Sequence, residues 1–209
     1  MNSKVTHINV GNLAENCWFL ANEDTKEAVV IDPGAEPDRI CAAAEKHGWK
    51  ITAILLTHGH IDHMGACESL RTELGVKVYA LTEEEDLLLD AKKNLSIFIE
   101  RKVVTFEPDE LLRDGQELTL AGMKIQVIHT PGHTPGGCSY FVADAGCVFS
   151  GDTLFAESVG RSDFPGGSTS ALVRAVKEKL FLLPDDTLVC PGHGEETTIG
   201  HEKKYNSFV

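Results

Sequence analysis

From Thr57 to Gly65 the chain reads THGHIDHMG, so His58, His60, Asp62 and His63 place three imidazoles and a carboxylate within six residues. Imidazole nitrogen and carboxylate oxygen are ligands for zinc, iron and manganese, and the block holds no cysteine of the kind a structural zinc finger uses. Residues two apart cannot share a helical face. An extended or turning segment could therefore aim His58 and His60 at one ion while Asp62 and His63 face another, and two adjacent metal sites become the working expectation. A merely solvated polar loop would not explain so many ligand-type residues in one place.

Three single residues stand in comparable settings, each at the end of an apolar segment and beside glycine: His133 in TPGHTPGG, Asp152 in SGDT and His193 in PGHG. Glycine lets the backbone turn tightly enough to point a neighbouring side chain into a shared cleft. The remaining histidines lack that setting. His129 precedes His133 by four residues, but Pro131 and Gly132 prevent a helix from presenting both to one ion, so His129 is read as a hydrogen-bonded structural residue. His7, His47 and His201 are read as ordinary surface or core histidines.

These residues need elements to carry them. Short β-branched or aromatic runs predict strands over Val5–Val10, Asn16–Ala21 and Glu27–Asp32, separated by turn residues as in an antiparallel meander. A helix is expected over Pro37–His47, stopped by Gly48. The near-continuous apolar run Ile51–Leu56 reads as a strand covered on both faces, and it delivers the chain to His58. A helix is expected from Met64 to Leu74, then a strand at Val76–Ala80. Thr82 with Glu85 resembles a capping box opening a third helix, with the acidic run Glu83–Asp86 facing water at its N-terminus. KVVTF, QELTL, MKIQVIH, CSYFVA and GCVFS predict a second set of strands, Thr169–Leu180 an amphipathic helix, and TLVC a last strand before His193. The alternation indicates a single α/β domain over 1–209.

Composition removes whole classes of function. The 209 residues carry 19 Lys and Arg against 32 Asp and Glu, a formal charge of −13. Phosphate binding needs clustered cations, and no basic run exceeds two residues, so nucleic acid is not an expected partner. No apolar run approaches the length of a membrane span, and the N-terminal segment does not read as a secretory signal, which together predict a cytoplasmic protein with no membrane partner. The six cysteines are scattered without a CxxC pair, as expected of reduced, mostly buried thiols.

Taken in order, VVIDPG around Asp32, THGHIDHMG, TPGHTPGG, SGDTLF and PGHGEETTI resemble the metallo-β-lactamase superfamily, and within it the small glyoxalase II-like hydrolases. The resemblance covers nearly the whole chain. It implies an αββα sandwich of two mixed sheets flanked by helices, with a binuclear site at one edge. It further implies that His58, His60 and His133 hold one divalent ion, that Asp62, His63 and His193 hold the other, and that Asp152 bridges both. Zinc is the first choice, with iron or manganese as alternatives.

The activity implied is hydrolysis of S-lactoylglutathione or a related small-molecule acyl thioester by a metal-bridging hydroxide, with Asp62 and Asp152 as the catalytic carboxylates. The alternatives within the same resemblance are a mononuclear iron persulfide dioxygenase using His58, His133 and Asp152, and a lactonase. Lactamases proper commonly carry cysteine at the place of Asp152, which argues against antibiotic hydrolysis. Asp32 reads either as a residue orienting an imidazole or as the turn residue of Asp-Pro-Gly. Arg161 and Asp163 belong to a GRxDxxGG-like loop, where they are expected to pair and fix the loop beside the cleft, with substrate contact the lesser reading. The segment after His193 reads as a closing helix and tail. It lacks the C-terminal helical extension that binds glutathione in full-length glyoxalase II, so the substrate and the oligomeric state stay open.

Overall fold

The structure is a computed structural model that describes residues 2–209. The first sheet takes its strands in sequence order: β1 (Ser3–Val10), β2 (Glu15–Asn22), β3 (Glu27–Ile31), β4 (Lys50–Leu55), β5 (Lys77–Leu81) and β6 (Glu110–Leu112). Pairing is antiparallel from β1 to β3 and parallel from β3 to β6. Helix α1 (Pro37–Lys46) makes the crossover from β3 to β4. The short helix α2 (Ile61–Met64) and then α3 (Cys67–Leu74) make the crossover from β4 to β5, as a parallel connection requires. Two single-turn helices, α4 (Glu85–Leu88) and α5 (Ser96–Ile99), precede β6.

The second sheet contains β7 (Glu117–Leu120), β8 (Met123–His129), β9 (Cys138–Val142) and β10 (Cys147–Gly151). After a two-stranded ribbon, β11 (Leu154–Phe155) and β12 (Ser158–Val159), and helix α6 (Thr169–Glu178), it is completed by β13 (Leu188–Pro191) and β14 (Thr197–Thr198). Helix α7 (Ile199–Tyr205) closes the chain. The strand order is β14-β13-β10-β9-β8-β7, with β13 parallel to β10 and the other neighbours antiparallel, so both sheets are mixed.

Strand alternation determines what lies between the sheets. Trp18, Leu20, Val29, Ile31 and Leu55 project from the first sheet onto Met123, Ile125, Val127, Tyr140 and Phe149 of the second. The opposite face of the first sheet packs Phe19, Val30 and Ile54 against Ile40 and Ala44 of α1 and Cys67 and Leu70 of α3. The outer face of the second sheet packs Val148 and Val189 against Val176 of α6, Leu180 and Ile199. The result is an αββα sandwich whose central strands are covered on both sides, as expected for Ile51–Leu56. All six cysteines are unpaired thiols, buried except for the partly exposed Cys41. Among the described residues no helix is long and apolar enough to cross a membrane.

Three expectations are corrected. The helix expected over Met64–Leu74 is broken between α2 and α3. A Cβ on Gly65 would lie 2.3 Å from Gly34 O, and the Ala66 amide donates to Pro33 O at 2.9 Å, so the Asp-Pro-Gly loop takes the place of a helical turn. KVVTF is not a strand. The side chains of Asn94 and Ser96 hold Val104, and the Phe106 amide donates to Leu88 O, so local packing overrides β propensity. The Thr82 capping box does not form, because the Thr82 hydroxyl donates to Leu112 O of β6.

Candidate metal centre

The end of β4 is pinned before the histidines begin. The Thr57 amide donates to Asp32 Oδ1 at 2.7 Å, the Tyr140 hydroxyl donates to Leu56 O at 2.6 Å, and the Cys138 amide donates to Thr57 O at 2.8 Å. His58 and His60 follow on an extended turn, and α2 then presents Asp62 and His63. His133 comes off the loop after β8, Asp152 directly follows β10, and His193 follows β13. All leave the carboxyl ends of strands, where open α/β sheets place their ligand crevices.

The seven residues converge. Ligating atoms of His58, His60 and His133 lie within 4.8 Å of one another, and those of Asp62, His63 and His193 form a second group by the same measure. Asp152 reaches both groups. Its Oδ2 is 3.6 Å from His133 Nε2 and 3.8 Å from His193 Nε2, and its Oδ1 is 3.4 Å from His63 Nε2. The side chain is closely boxed, since a Cβ on Gly192 would lie 2.4 Å from Asp152 Oδ1.

Buried His58 Nε2, His63 Nε2 and Asp152 Oδ1 have no hydrogen-bond partner. Buried polar atoms are normally satisfied, and three inward-pointing orphans of this donor set fit cations. Burial pushes the His58 imidazole well below its ordinary range, and it pushes His60 down to about 3. Their ring nitrogens thus keep lone pairs for a metal. His63 behaves oppositely. Burial would lower it, but Asp152 and Asp62 beside it raise it well above the ordinary histidine value. Asp62 is held below the carboxylate range by His63 and His193, although burial acts in the other direction.

A supporting shell sets the ring orientations. Asp32 Oδ2 lies 3.0 Å from His63 Nδ1 and accepts the Thr57 hydroxyl at 2.5 Å, while Thr57 Oγ1 is 3.2 Å from His58 Nδ1. Asp32 thus sits in the turn, at φ +53°, with its carboxylate in hydrogen-bond contact with the His63 ring. His133 Nδ1 lies 2.6 Å from Arg161 O. Arg161 pairs bidentately with Asp163 at 2.7 and 2.8 Å, as expected, and its guanidinium lies over Phe164. Outside the cluster, His129 Nε2 sits 2.9 Å from Pro135 O and His201 pairs with Glu157. His47 stacks on Trp49, and His7 packs on Trp18.

Two carboxylates escaped the sequence. Glu84, expected to face water, is 1% exposed and accepts the Gly59 amide at 2.9 Å and the Gly136 amide at 2.8 Å. It cross-ties the His58–His63 loop to the His133 loop. Burial pushes its carboxyl up to about 7, against the pull of those amides. Glu15, equally buried, lies 3.9 Å from His63 Nδ1, and burial raises its carboxyl well above the ordinary value. Nothing in the local sequence distinguishes Glu84 from its three acidic neighbours or marks Glu15 as inward-facing.

The family model described as metallo-beta-lactamase superfamily matches residues 10–193. Hydroxyacylglutathione hydrolase GloC of Haemophilus influenzae is 36% identical over 197 residues, covering 93% of this chain and 92% of that protein. Two solved structures match nearly end to end. BLEG-1 B3 metallo-beta-lactamase superposes with a TM-score of 0.93 at 38% identity, over 98% of this chain and 99% of its own. TTHA1623, solved in a di-iron-bound form, gives 0.86 at 36% identity, over 98% and 100%.

Proposed function

Because the chain belongs to the metallo-β-lactamase superfamily, we propose that its His/Asp cluster binds two divalent metal ions and hydrolyses a small-molecule acyl thioester. The observation carrying this reading is Asp152, whose two oxygens face the two ligand groups from between them. On this reading His58, His60 and His133 hold one ion, Asp62, His63 and His193 the other, and Asp152 both. Zinc is the first choice of metal, with iron or manganese as alternatives in view of the di-iron relative. The GloC relative supports a thioester substrate.

A bound metal pair supplies Lewis acidity, acidifying water and polarising the acyl carbonyl. The chain's own residues do the rest. On this reading Asp62, which lines the cavity with its Oδ2 3.3 Å from His193 Nε2, orients the attacking water. The water oxygen bonds to the acyl carbon, the carbon–sulfur bond breaks, and the electron pair leaves with the thiolate. A thiolate is a good leaving group, so its departure needs little general-acid help. Asp32 and the Arg161 carbonyl keep the His63 and His133 rings in their orientations throughout.

The test is elemental analysis of protein purified without chelators, followed by assays with S-lactoylglutathione, glutathione persulfide, a lactone and a β-lactam. About two metals per chain and thiol release from the thioester support the reading. One iron per chain with oxygen consumption on the persulfide would reassign the site to a dioxygenase. Preferred turnover of the lactone or the β-lactam would move the substrate class.

A further inference from the structure

Above the cluster lies a cavity of about 850 Å³. Its floor holds His60, Asp62, Asp152 and His193, but its walls are of different character: Leu13, Leu95, Phe98, Ile99, Phe155 and Phe164. Phe98 is 68% exposed and Leu13 50%. Single exposed apolar residues are common on any protein, but several converging on the mouth of one polar, reactive floor need a reason.

The backbone supplies a second, independent observation. Leu95, immediately before α5, has φ +67°, a left-handed conformation unfavourable for leucine. Asn94 imposes it: its Oδ1 accepts the Ser96 amide at 3.0 Å, its Nδ2 donates to Val104 O at 2.8 Å, and its carbonyl accepts the Ile61 amide at 2.9 Å. Ile61 opens α2, the helix that carries Asp62 and His63. The strained turn thus ties Leu95, Phe98 and Ile99 to the ligand helix. The lining cations are Lys92 and Arg161, and Arg161 is already held by Asp163. A peptide thiol with several charged groups would find few partners on these walls, whereas a hydrocarbon chain would find a surface that removes it from water.

We propose, resting on the thioester reading above, that the substrates are thioesters whose acyl arm is an apolar chain, received by Phe98, Ile99 and Leu13. The acyl carbonyl lies on the floor and the chain runs up the wall towards α5.

The test uses the metal-loaded protein and a homologous series of acyl-N-acetylcysteamine thioesters from acetyl to octanoyl, with S-lactoylglutathione alongside. The kcat/KM is expected to rise about two- to fourfold per added methylene until the wall is covered. Phe98→Ser, at an exposed position where folding is not at stake, is expected to lower kcat/KM for octanoyl about tenfold or more and for acetyl much less. Ile99→Ser is expected to follow the same pattern. A flat or falling series, with S-lactoylglutathione preferred, overturns the proposal.

If no thioester is turned over, the thioester reading fails by itself, and the apolar arm is then judged by calorimetry with the non-hydrolysable S-octyl and S-ethyl thioethers of N-acetylcysteamine. Tighter binding of the octyl compound, with a negative heat-capacity change that Phe98→Ser reduces, upholds the apolar wall. Equal binding of the two overturns it.

Discussion

The two halves of the cluster use similar side chains under different physical regimes. His58, His60 and His133 are all imidazoles, each less than 5% exposed, and burial holds His58 and His60 in the neutral form. In the other half, Asp62 and His193 open to the cavity, while His63 sits among Asp152, Asp62 and Asp32, whose carboxylates raise it above the ordinary histidine value against the effect of burial. The first half is a buried pocket of imidazoles. The second surrounds an imidazole with carboxylates. The supports differ in kind as well. Glu84 braces the loops of the first half through backbone amides, whereas Asp32 braces the second directly at the His63 ring. The second half is also the more open of the two, since the His193 and Asp62 side chains are partly exposed whereas His58, His60 and His133 are buried.

Asp152 is the test of whether these halves form one site. Asp152→Ala removes the oxygens facing both groups, so metal content is expected to fall from about two per chain to one or fewer, with turnover nearly abolished and the fold retained. Metal analysis and circular dichroism on the same sample read this. A variant that keeps full activity would show that the halves work independently.

Asp32→Asn should separate the halves by degree. Its loss weakens the direct brace on His63, and through Thr57 it reaches His58 at one remove. Metal affinity of the second half is expected to drop about 10- to 100-fold, with a smaller drop in the first. Cobalt substitution followed by competition with a chelator resolves the two steps. Equal losses in both steps would mean that Asp32 serves the fold of the loop rather than the orientation of His63.

Glu84→Gln should do the reverse, and more weakly. A glutamine offers one carbonyl oxygen and one NH2 group where two amide donors, Gly59 and Gly136, require acceptors, so one amide loses its partner. The same cobalt titration is expected to show the first-half step weakened about tenfold and the second unchanged. Weakening confined to the second step would contradict the role of Glu84 as the tie between the His58 and His133 loops.

How much of this was legible in the chain follows from the same contrast. Side chains of ligand type are few, and at strand ends beside glycine they stand out: His58, His60, Asp62, His63, His133, Asp152 and His193 could be singled out as candidates from the chain, and the structure brings them together. The sandwich was legible for a related reason, since alternation in Met123–His129 and the unbroken apolar run at Ile51–Leu56 report which faces are covered. Residues that act through backbone amides carry no such mark. Glu84 became a brace only because the fold brings Gly59 and Gly136 to it, and as one of four consecutive acids it read as a solvated helix start. The break between α2 and α3 was hidden likewise, since it depends on Gly34 meeting Gly65.

Glu84 also allows the comparison to be tested without metal or substrate. Its carboxyl titrates at about 7 in the folded protein against 4.5 for an unperturbed glutamate, because burial disfavours the charged form. As pH rises from about 4.5, the unfolded chain gives up this proton before the native protein does. The unfolded state then binds fewer protons, and the contribution of Glu84 to stability falls until about pH 7, above which it is level. Glu84→Gln cannot titrate, so the stability of the wild type minus that of the variant is expected to decline across that window and flatten beyond it. Urea denaturation of metal-free protein at matched pH values measures the difference directly. A difference independent of pH would mean that the two amides hold Glu84 ionised throughout. Its brace on the first half would then be a charged one, and stronger than burial alone allows.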